Sequence, residues 1–156
     1  MHMHKLEKIW ITIGIVTLIA FLSTVGIQAF TSDHHKPPSD LTVIDPEKVQ
    51  ETAPFDEPGL KELGDNKYEL IVVLQSFGFT PNDIQIPQGA EVTIKVTSID
   101  VVHGFQIPGT NVNMMVTPGH INSMTYTFDE AGEFLILCNE YCGTGHHYMS
   151  AKLEVI

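Results

Sequence analysis

The longest hydrophobic run in the chain lies near its N-terminus, at residues 9–30. These 22 residues carry no charged side chain, and as a helix they would be about 33 Å long, enough to cross the hydrocarbon core of a bilayer. The run also resembles a cleaved signal peptide, because Lys5 and Lys8 precede it and Ala29 could precede a cleavage site. The apolar regions of signal peptides usually have only about 7–15 residues, however. The pattern therefore favours a single transmembrane helix.

The charges beside this helix predict its orientation. Residues 1–8 contain two lysines, Lys5 and Lys8, and a single acidic residue, Glu7. Residues 31–36, on the other side of the helix, contain one lysine, Lys36. Cytoplasmic flanks carry the excess of basic residues. We therefore expect residues 1–8 in the cytoplasm and the large C-terminal part on the outer, periplasmic or extracellular, side of the cell membrane.

Residues 31–66 are predicted to be a linker and a surface segment. Proline recurs through them, in pairs such as Pro37-Pro38 and Ala53-Pro54, and proline interrupts both helices and strand ladders. His34 and His35 also lie here, but the side chains of adjacent residues diverge in an extended chain. We assign these two histidines no role.

Residues 67–156 show the alternation of apolar and polar residues that is typical of β-strands. The alternation is strict at residues 91–97, where Val92, Ile94 and Val96 would share one face. Turn signals rich in proline and glycine separate such segments, and no helical period of ten residues follows Phe30. Many short strands at regular spacing predict a β-sandwich or barrel. The predicted strands lie at residues 68–74, 91–97, 124–128, 134–138 and 151–155.

Charge and the lack of catalytic motifs exclude several functions. The chain has 19 acidic and 8 basic side chains, all eight of them lysine, and a net charge of −11. This balance argues against nucleic acid as a partner and favours cationic partners. The sequence contains no GxSxG, P-loop or HExxH motif, so nothing points to hydrolytic catalysis.

The only two cysteines, Cys138 and Cys142, share a short stretch with His146 and Met149. Thiolate, imidazole and thioether are ligands that copper prefers, and blue-copper sites use one Cys, His and a weakly bound Met. The second cysteine goes beyond that set, because two thiolates can bridge two copper ions. A disulfide between the cysteines is the competing interpretation, but it leaves the histidine and the methionine unexplained.

Written as C-x-E-x-C-G-x-x-H-x-x-M, residues 138–149 resemble the binuclear copper A motif of cytochrome c oxidase subunit II. The resemblance covers the whole chain and is strongest to the single-helix subunit II of ba3-type haem-copper oxidases. It implies a mainly β, Greek-key, cupredoxin-like sandwich with one N-terminal transmembrane helix. The implied division is a cytoplasmic N-terminus at 1–8, a transmembrane helix at 9–30, a linker at 31–66 and a copper A domain at 67–156.

The resemblance also implies a set of copper ligands. The family places one more histidine far upstream of the motif, and the sequence VVHGF around His103 fits that position. Both cysteines would bridge the two ions. One ion would also take His103 and Met149, and the other a histidine of the motif and the backbone carbonyl of Glu140. The implied metal residues are His103, Cys138, Glu140, Cys142, His146 and Met149.

Two points of this ligand set stay open. His147 is adjacent to His146, and only the family spacing selects His146. In some relatives the side chain equivalent to Glu140 reaches a magnesium ion, and the resemblance does not decide whether this chain keeps that site.

The function implied by the resemblance is electron entry into a terminal haem-copper oxidase. The chain would accept single electrons from reduced cytochrome c or a similar carrier and pass them to haem in catalytic subunit I, where oxygen is reduced. A membrane-tethered mononuclear copper carrier is one alternative, which Cys142 disfavours. The copper A domain of a nitrous oxide reductase is another, but that enzyme carries the domain on a large propeller chain. Subunits of quinol oxidases lack the copper ligands.

Other conspicuous residues receive structural interpretations. His120 follows Pro118-Gly119 and is expected in a surface turn. Met114 and Met115 are interpreted as core filling or docking surface. For Phe77 and Phe79 we favour the hydrophobic core over a position beside the metal.

Overall fold

The computed structural model describes residues 4–31 and 42–156, which belong to two separate compact units. The first unit contains the N-terminal helix, and the second contains the ten β-strands of the described residues. His34 and His35 lie outside the described residues.

Helix α1 runs from Lys5 to Thr31 and includes the whole predicted span. It is long and apolar enough to cross a membrane over Lys5–Phe30. The hydroxyl groups of Thr12 and Thr17 donate hydrogen bonds of 2.8 and 2.9 Å to the backbone carbonyls one turn earlier. Because a bilayer core offers no water to polar groups, these internal bonds let the threonines lie in an apolar span.

Ten strands form two five-stranded sheets. In the first sheet the order is β1-β2-β5-β8, with β3 paired to β2, and in the second it is β4-β10-β9-β6-β7. The pairs β2–β5 and β4–β10 are parallel, and the other strand pairs are antiparallel. The strands of the first sheet are β1 (Gly59–Gly64), β2 (Lys67–Gln75), β3 (Gly78–Thr80), β5 (Glu91–Ser98) and β8 (Asn122–Thr127). Those of the second sheet are β4 (Asp83–Ile86), β6 (His103–Gln106), β7 (Asn113–Val116), β9 (Gly132–Leu137) and β10 (Ser150–Val155).

The main hydrophobic core contains side chains from both sheets. Val92, Ile94 and Val96 of β5 are fully buried in it, as the strict alternation predicts. Burial of one face of each sheet against the other is what makes a two-layer sandwich stable. The sandwich predicted from the sequence is therefore confirmed.

Strand prediction succeeded where alternation was long and failed where strands were short. The five predicted segments correspond to β2, β5, β8, β9 and β10. Strands β3, β4, β6 and β7 have only three or four residues, too few to show a period. Such strands form because neighbouring strands supply their hydrogen bonds.

The second half of the predicted linker is structured. A 3-10 helix, Pro46–Glu51, begins after Asp45, whose side chain accepts a hydrogen bond from the Glu47 amide. Strand β1 follows within the same segment. Ile44, Val49 and Phe55 are buried against Ile71 and Val73 of β2, in a second hydrophobic cluster. The prolines hid this packing from the sequence pattern, because they interrupt any regular spacing of the apolar residues.

We expect Phe55→Ala to destabilise the β-domain by about 3–5 kcal/mol, because it empties a fully buried aromatic site. Leu63→Ala, at an exposed position of β1, is the matched control and should change stability by less than about 0.5 kcal/mol. Urea unfolding of the full chain in detergent, followed by near-ultraviolet circular dichroism, measures both. Equal stability of the two variants would mean that residues 42–58 are only a linker.

Candidate metal centre

The metal loop, residues 138–149, joins β9 to β10 at one end of the second sheet. Its two ends are held together because the Cys138 amide donates a 3.3 Å hydrogen bond to the Met149 carbonyl. Strand β6 pairs with β9 through Gln106 and Leu137, and this pairing brings His103, at the start of β6, beside the loop. Neighbouring strands thus bring together residues that are 35 positions apart in sequence.

Sulfur and nitrogen atoms converge inside this loop. The sulfur atoms of Cys138 and Cys142 lie 3.9 Å apart. The Nδ1 atom of His103 lies 3.9 Å from the Cys138 sulfur, and the Nδ1 atom of His146 lies 3.6 Å from the Cys142 sulfur. The Met149 sulfur is 3.7 Å from the Cys142 sulfur. The two imidazoles therefore approach different sulfurs of the pair.

Glu140 faces the site with its backbone. Its carbonyl oxygen lies 3.2 Å from the Cys138 sulfur, whose thiol donates to it. A carbonyl is a weak ligand of the kind found in axial positions of copper sites. The position of this oxygen agrees with the ligand role implied by the resemblance, which needs the carbonyl and not the carboxylate.

The centre is buried. The exposed fraction is 0% for His103, 2% for Met149, 7% for Cys138 and 8% for Cys142. Both cysteines are free, and their sulfur separation is about twice the ~2.05 Å of a disulfide bond. The ligand atoms of His103, Cys138 and Cys142 lie within 4.8 Å of one another. A small thiophilic cation fits this donor set.

The Cys142 thiol shows why the site favours a cation. Burial, and then the neighbouring Cys138 sulfur, raise the pKa of Cys142. Two thiolates this close repel each other in a medium of low dielectric constant. A metal ion held by these sulfurs would offset that repulsion with its positive charge, under which a coordinated thiol is deprotonated.

Asp100 fixes the orientation of the His103 ring. One carboxylate oxygen lies 2.8 Å from His103 Nε2, so Nε2 carries the proton and the lone pair of Nδ1 points toward the sulfurs. Burial alone would raise the pKa of Asp100, but hydrogen bonds from Ser76, His103 and Val101 outweigh burial and hold that pKa well below its ordinary value. The carboxylate therefore stays charged beside the imidazole.

The structure distinguishes the two adjacent histidines of the loop. His146 is half-buried and directs Nδ1 to Cys142. His147 is exposed, and its ring packs on Tyr148 with 3.9 Å between ring centroids. This geometry agrees with the family spacing that selects His146.

The two phenylalanines near β3 have different environments. Phe79 is buried in the core and packs edge-on against Phe105. Phe77 is 43% exposed, so its interpretation as a core residue was wrong. Its ring lies over the metal loop, where a Cβ atom on Gly145 would be 2.6 Å from the ring. The reason is that Phe77 lies in the turn between β2 and β3, with a φ of +70°, and so falls outside the alternation of both strands.

The remaining interpretations of single residues agree with the structure. His120 is exposed at the end of a turn, where it also forms an isolated β-bridge with Val43. Met114 is buried in the core, while Met115 is exposed on β7. Asp100 and Gly104 also contact the site and were not among the predicted residues. An aspartate three residues before the predicted ligand His103 was the available signal for Asp100.

Gly104 is required by a close approach of the backbone. A Cβ atom at this position would lie 1.8 Å from Asn139 Oδ1 and 2.6 Å from the Asn139 amide nitrogen. The Gly104 amide, in turn, donates a 3.4 Å hydrogen bond to the Cys138 sulfur. Asn139 also donates to the Asn113 side chain, so it cannot move aside without losing that bond.

The family comparison agrees with this geometry. A family model described as "Cytochrome C oxidase subunit II, periplasmic domain" matches residues 70–156. The chain belongs to the cytochrome c oxidase subunit II family. It is 38% identical over 155 residues to a cytochrome c oxidase subunit 2 of Thermus thermophilus, covering 96% of this chain and 90% of the relative. A second Thermus thermophilus subunit 2 is 42% identical over 121 residues, covering 76% of this chain and 90% of that one.

A solved structure shows the same fold over nearly the full length. The chain aligns with a chain of a haem-copper terminal oxidase dimer determined by cryo-electron microscopy, with a TM-score of 0.78 and 33% identity. The alignment covers 97% of this chain and all of that one. The cupredoxin-like sandwich with one N-terminal helix is thereby confirmed. So is the predicted role as subunit II, the electron-entry subunit of an oxidoreductase complex.

We expect Gly104→Ala to destabilise the β-domain by about 1–3 kcal/mol, because the added methyl group must displace the Asn139 backbone. Gly78→Ala is the control, since its Cβ would meet nothing nearer than 4.0 Å. Thermal unfolding of the metal-free full chain compares the two variants. Wild-type stability of Gly104→Ala would contradict the close contact between residues 104 and 139.

Proposed function

We propose that this subunit II binds two copper ions in a dinuclear copper A centre and passes single electrons through it. The observation that carries the proposal is the buried pair of free cysteines, approached from one side by His103 and from the other by His146. A mononuclear site would need only one of these sulfurs. The residues proposed to hold the two ions are His103, Cys138, Glu140 (through its carbonyl), Cys142, His146 and Met149.

Bound copper would supply a one-electron redox couple, and the protein residues would keep its surroundings constant. The sulfurs lie on a loop whose ends are joined by a backbone hydrogen bond, and His103 starts a strand of the same sheet. Burial of the sulfurs excludes water. A rigid, dry ligand set has little to rearrange when one electron arrives or leaves, which is the contribution a protein makes to electron transfer.

The proposed electron donor is cytochrome c or a similar cationic carrier on the outer side of the membrane. The net charge of −11 would attract such a donor over long range. Tyr141 and Tyr148 are both 77% exposed on the metal loop, and exposed aromatic side chains are typical of the centre of protein–protein contacts. Electrons would then leave to haem in catalytic subunit I.

The proposed topology follows from the basic residues before the helix. Residues 1–8 would lie in the cytoplasm, helix 9–30 in the cell membrane, and the copper A domain at 67–156 on the outer side. The Glu140 carboxylate has no part in this ligand set, and magnesium is left out of the proposal.

The copper content tests the dinuclear centre. We expect two copper ions per full-length chain and an electron paramagnetic resonance spectrum of one unpaired electron shared by two copper nuclei. Cys142→Ser should abolish the shared spectrum, because one bridging thiolate is lost. His146→Ala should weaken copper binding by more than about 10–100-fold, the scale for loss of a group that only supports the ligands, whereas His147→Ala should behave as wild type. One copper with a single-nucleus spectrum would replace this proposal by a tethered mononuclear carrier.

Co-purification tests the assembly. We expect tagged full-length protein, extracted from its native membrane in mild detergent, to retain a haem-containing subunit with many transmembrane helices. Truncation of helix α1 provides the comparison for the contribution of the membrane segment. Copper-loaded protein that never retains haem would contradict the role in a terminal oxidase.

A further inference from the structure

The turn between β2 and β3 closes over the metal loop. Its residues Ser76 and Phe77, here called the clamp turn, precede β3 directly. A Cβ atom on Gly145 would lie 2.6 Å from Phe77 Cγ, and one on Gly143 would lie 3.3 Å from the ring edge. Only glycine at position 145 lets the aromatic ring lie this close to the loop that contains both cysteines.

The backbone of the clamp turn is unusual. Phe77 has a φ of +70°, a left-handed conformation that is a genuine outlier for a bulky side chain. Burial does not explain it, because the side chain is 43% exposed. Such conformations are unfavourable for a side chain of this size and persist only where the surroundings enforce them. The tight two-residue turn between the paired residues Gln75 and Gly78 calls for a positive φ, and the contacts of the turn hold it there.

Asp100 supplies that constraint from the other side of the site. One of its carboxylate oxygens accepts hydrogen bonds from the Ser76 amide, at 2.6 Å, and from the Ser76 hydroxyl. The other oxygen accepts hydrogen bonds from His103 Nε2, at 2.8 Å, and from the Val101 amide, at 2.7 Å. A single carboxylate thus connects the clamp turn to the buried histidine.

One cysteine sulfur also faces a backbone amide beside His103. The Gly104 amide, next to His103, donates to the Cys138 sulfur. Hydrogen bonds to the cysteine sulfur tune the reduction potential of copper–thiolate sites. This donor lies one residue from the histidine that Asp100 holds.

We propose that Ser76 and Asp100 are positioning residues that fix the clamp turn and His103 at one separation around the metal loop. This inference rests on the proposed copper function. In this arrangement the Phe77 ring covers the loop, the Gly104 amide stays on the Cys138 sulfur, and His103 cannot turn. The ligand set is then held from both sides by one carboxylate, independently of the covalent loop.

Five variants distinguish the positioning role of Ser76 and Asp100 from a role in the stability of the turn alone. Ser76→Ala removes one hydrogen bond to Asp100 and leaves the charge and the His103 contact. Asp100→Asn keeps the shape but offers one acceptor oxygen instead of two. Phe77→Gly keeps the left-handed backbone, which glycine adopts without strain, and removes the ring, while Phe77→Leu restores part of its bulk. Thr110→Ala is the control, since it removes turn hydrogen bonds of 2.7 and 3.1 Å in the loop that follows the opposite end of β6.

The experiment measures copper release to a chelator and the reduction potential, both with copper-loaded full-length protein in detergent. We expect Phe77→Gly to release copper on the order of tenfold faster, with partial recovery in Phe77→Leu. Ser76→Ala and Asp100→Asn should each accelerate release, and the double variant should be no faster than the quicker single one, because both changes break the same connection. Ser76→Ala should also lower the reduction potential, since a less firmly held Asp100 loosens His103 and the adjacent Gly104 amide, which then stabilises the reduced, more negative Cys138 sulfur less. Thr110→Ala should change neither quantity.

Several outcomes would overturn the inference. One is a Ser76→Ala protein with wild-type potential and release rate. Another is full additivity of Ser76→Ala and Asp100→Asn, which would show that they act on separate contacts. A Phe77→Gly protein that releases copper no faster than Thr110→Ala would remove the role of the ring. Wild-type protein that takes up no copper would instead contradict the proposed function, before any variant is compared.

Discussion

The backbone hydrogen bond from Cys138 to Met149 closes the metal loop where β9 and β10 separate. Below it, the two strands pair without interruption from Ser150 and Leu137 to Val155 and Gly132. This pairing sets the loop length, and the loop length brings both sulfurs, His146 and the methionine into one buried volume. A one-residue change in the β9–β10 register would move every side chain of the shifted strand to the opposite face of the sheet. The site therefore depends first on strand pairing.

The proposed ligand set combines a local part with a distant part. The loop supplies its donors by sequence proximity, and the sheet supplies His103 through the β6–β9 contact. Asp100 then joins the distant histidine to the clamp turn of the other sheet. A site held from both layers of a sandwich has little freedom to distort, because close-packed interiors resist local displacement. This property suits a subunit whose task is electron transfer.

The two hydrophobic clusters serve different purposes. The main core joins the sheets and supports the loop, since Cys138, Cys142 and Met149 belong to it. The second cluster covers the outer face of β2 with residues 44–55. Ile71 and Val73 in β2 face this cover, while Leu70, Val72 and Leu74 face the main core. The sequence of a strand that is buried on both faces is a continuous apolar run. Residues 70–74 of β2 show this pattern.

Sequence alone determined the features that depend on short-range order. A charge-free run of 22 residues specifies a membrane helix by its length, long alternating segments specify strands, and the spacing of Cys138, Cys142, His146 and Met149 specifies a soft-metal loop. Tertiary structure decided what depends on contacts between distant segments. It placed His103 beside the sulfurs and Asp100 beside His103, directed His146 and not His147 inward, and turned Phe77 out of the core and onto the loop. It also covered β2 with residues 44–55, part of the proline-rich segment that the sequence pattern predicts to be a linker. The physical reason is that neighbouring strands stabilise these short strands, turns and ring contacts. The local pattern of apolar and polar residues does not specify which strands will be neighbours.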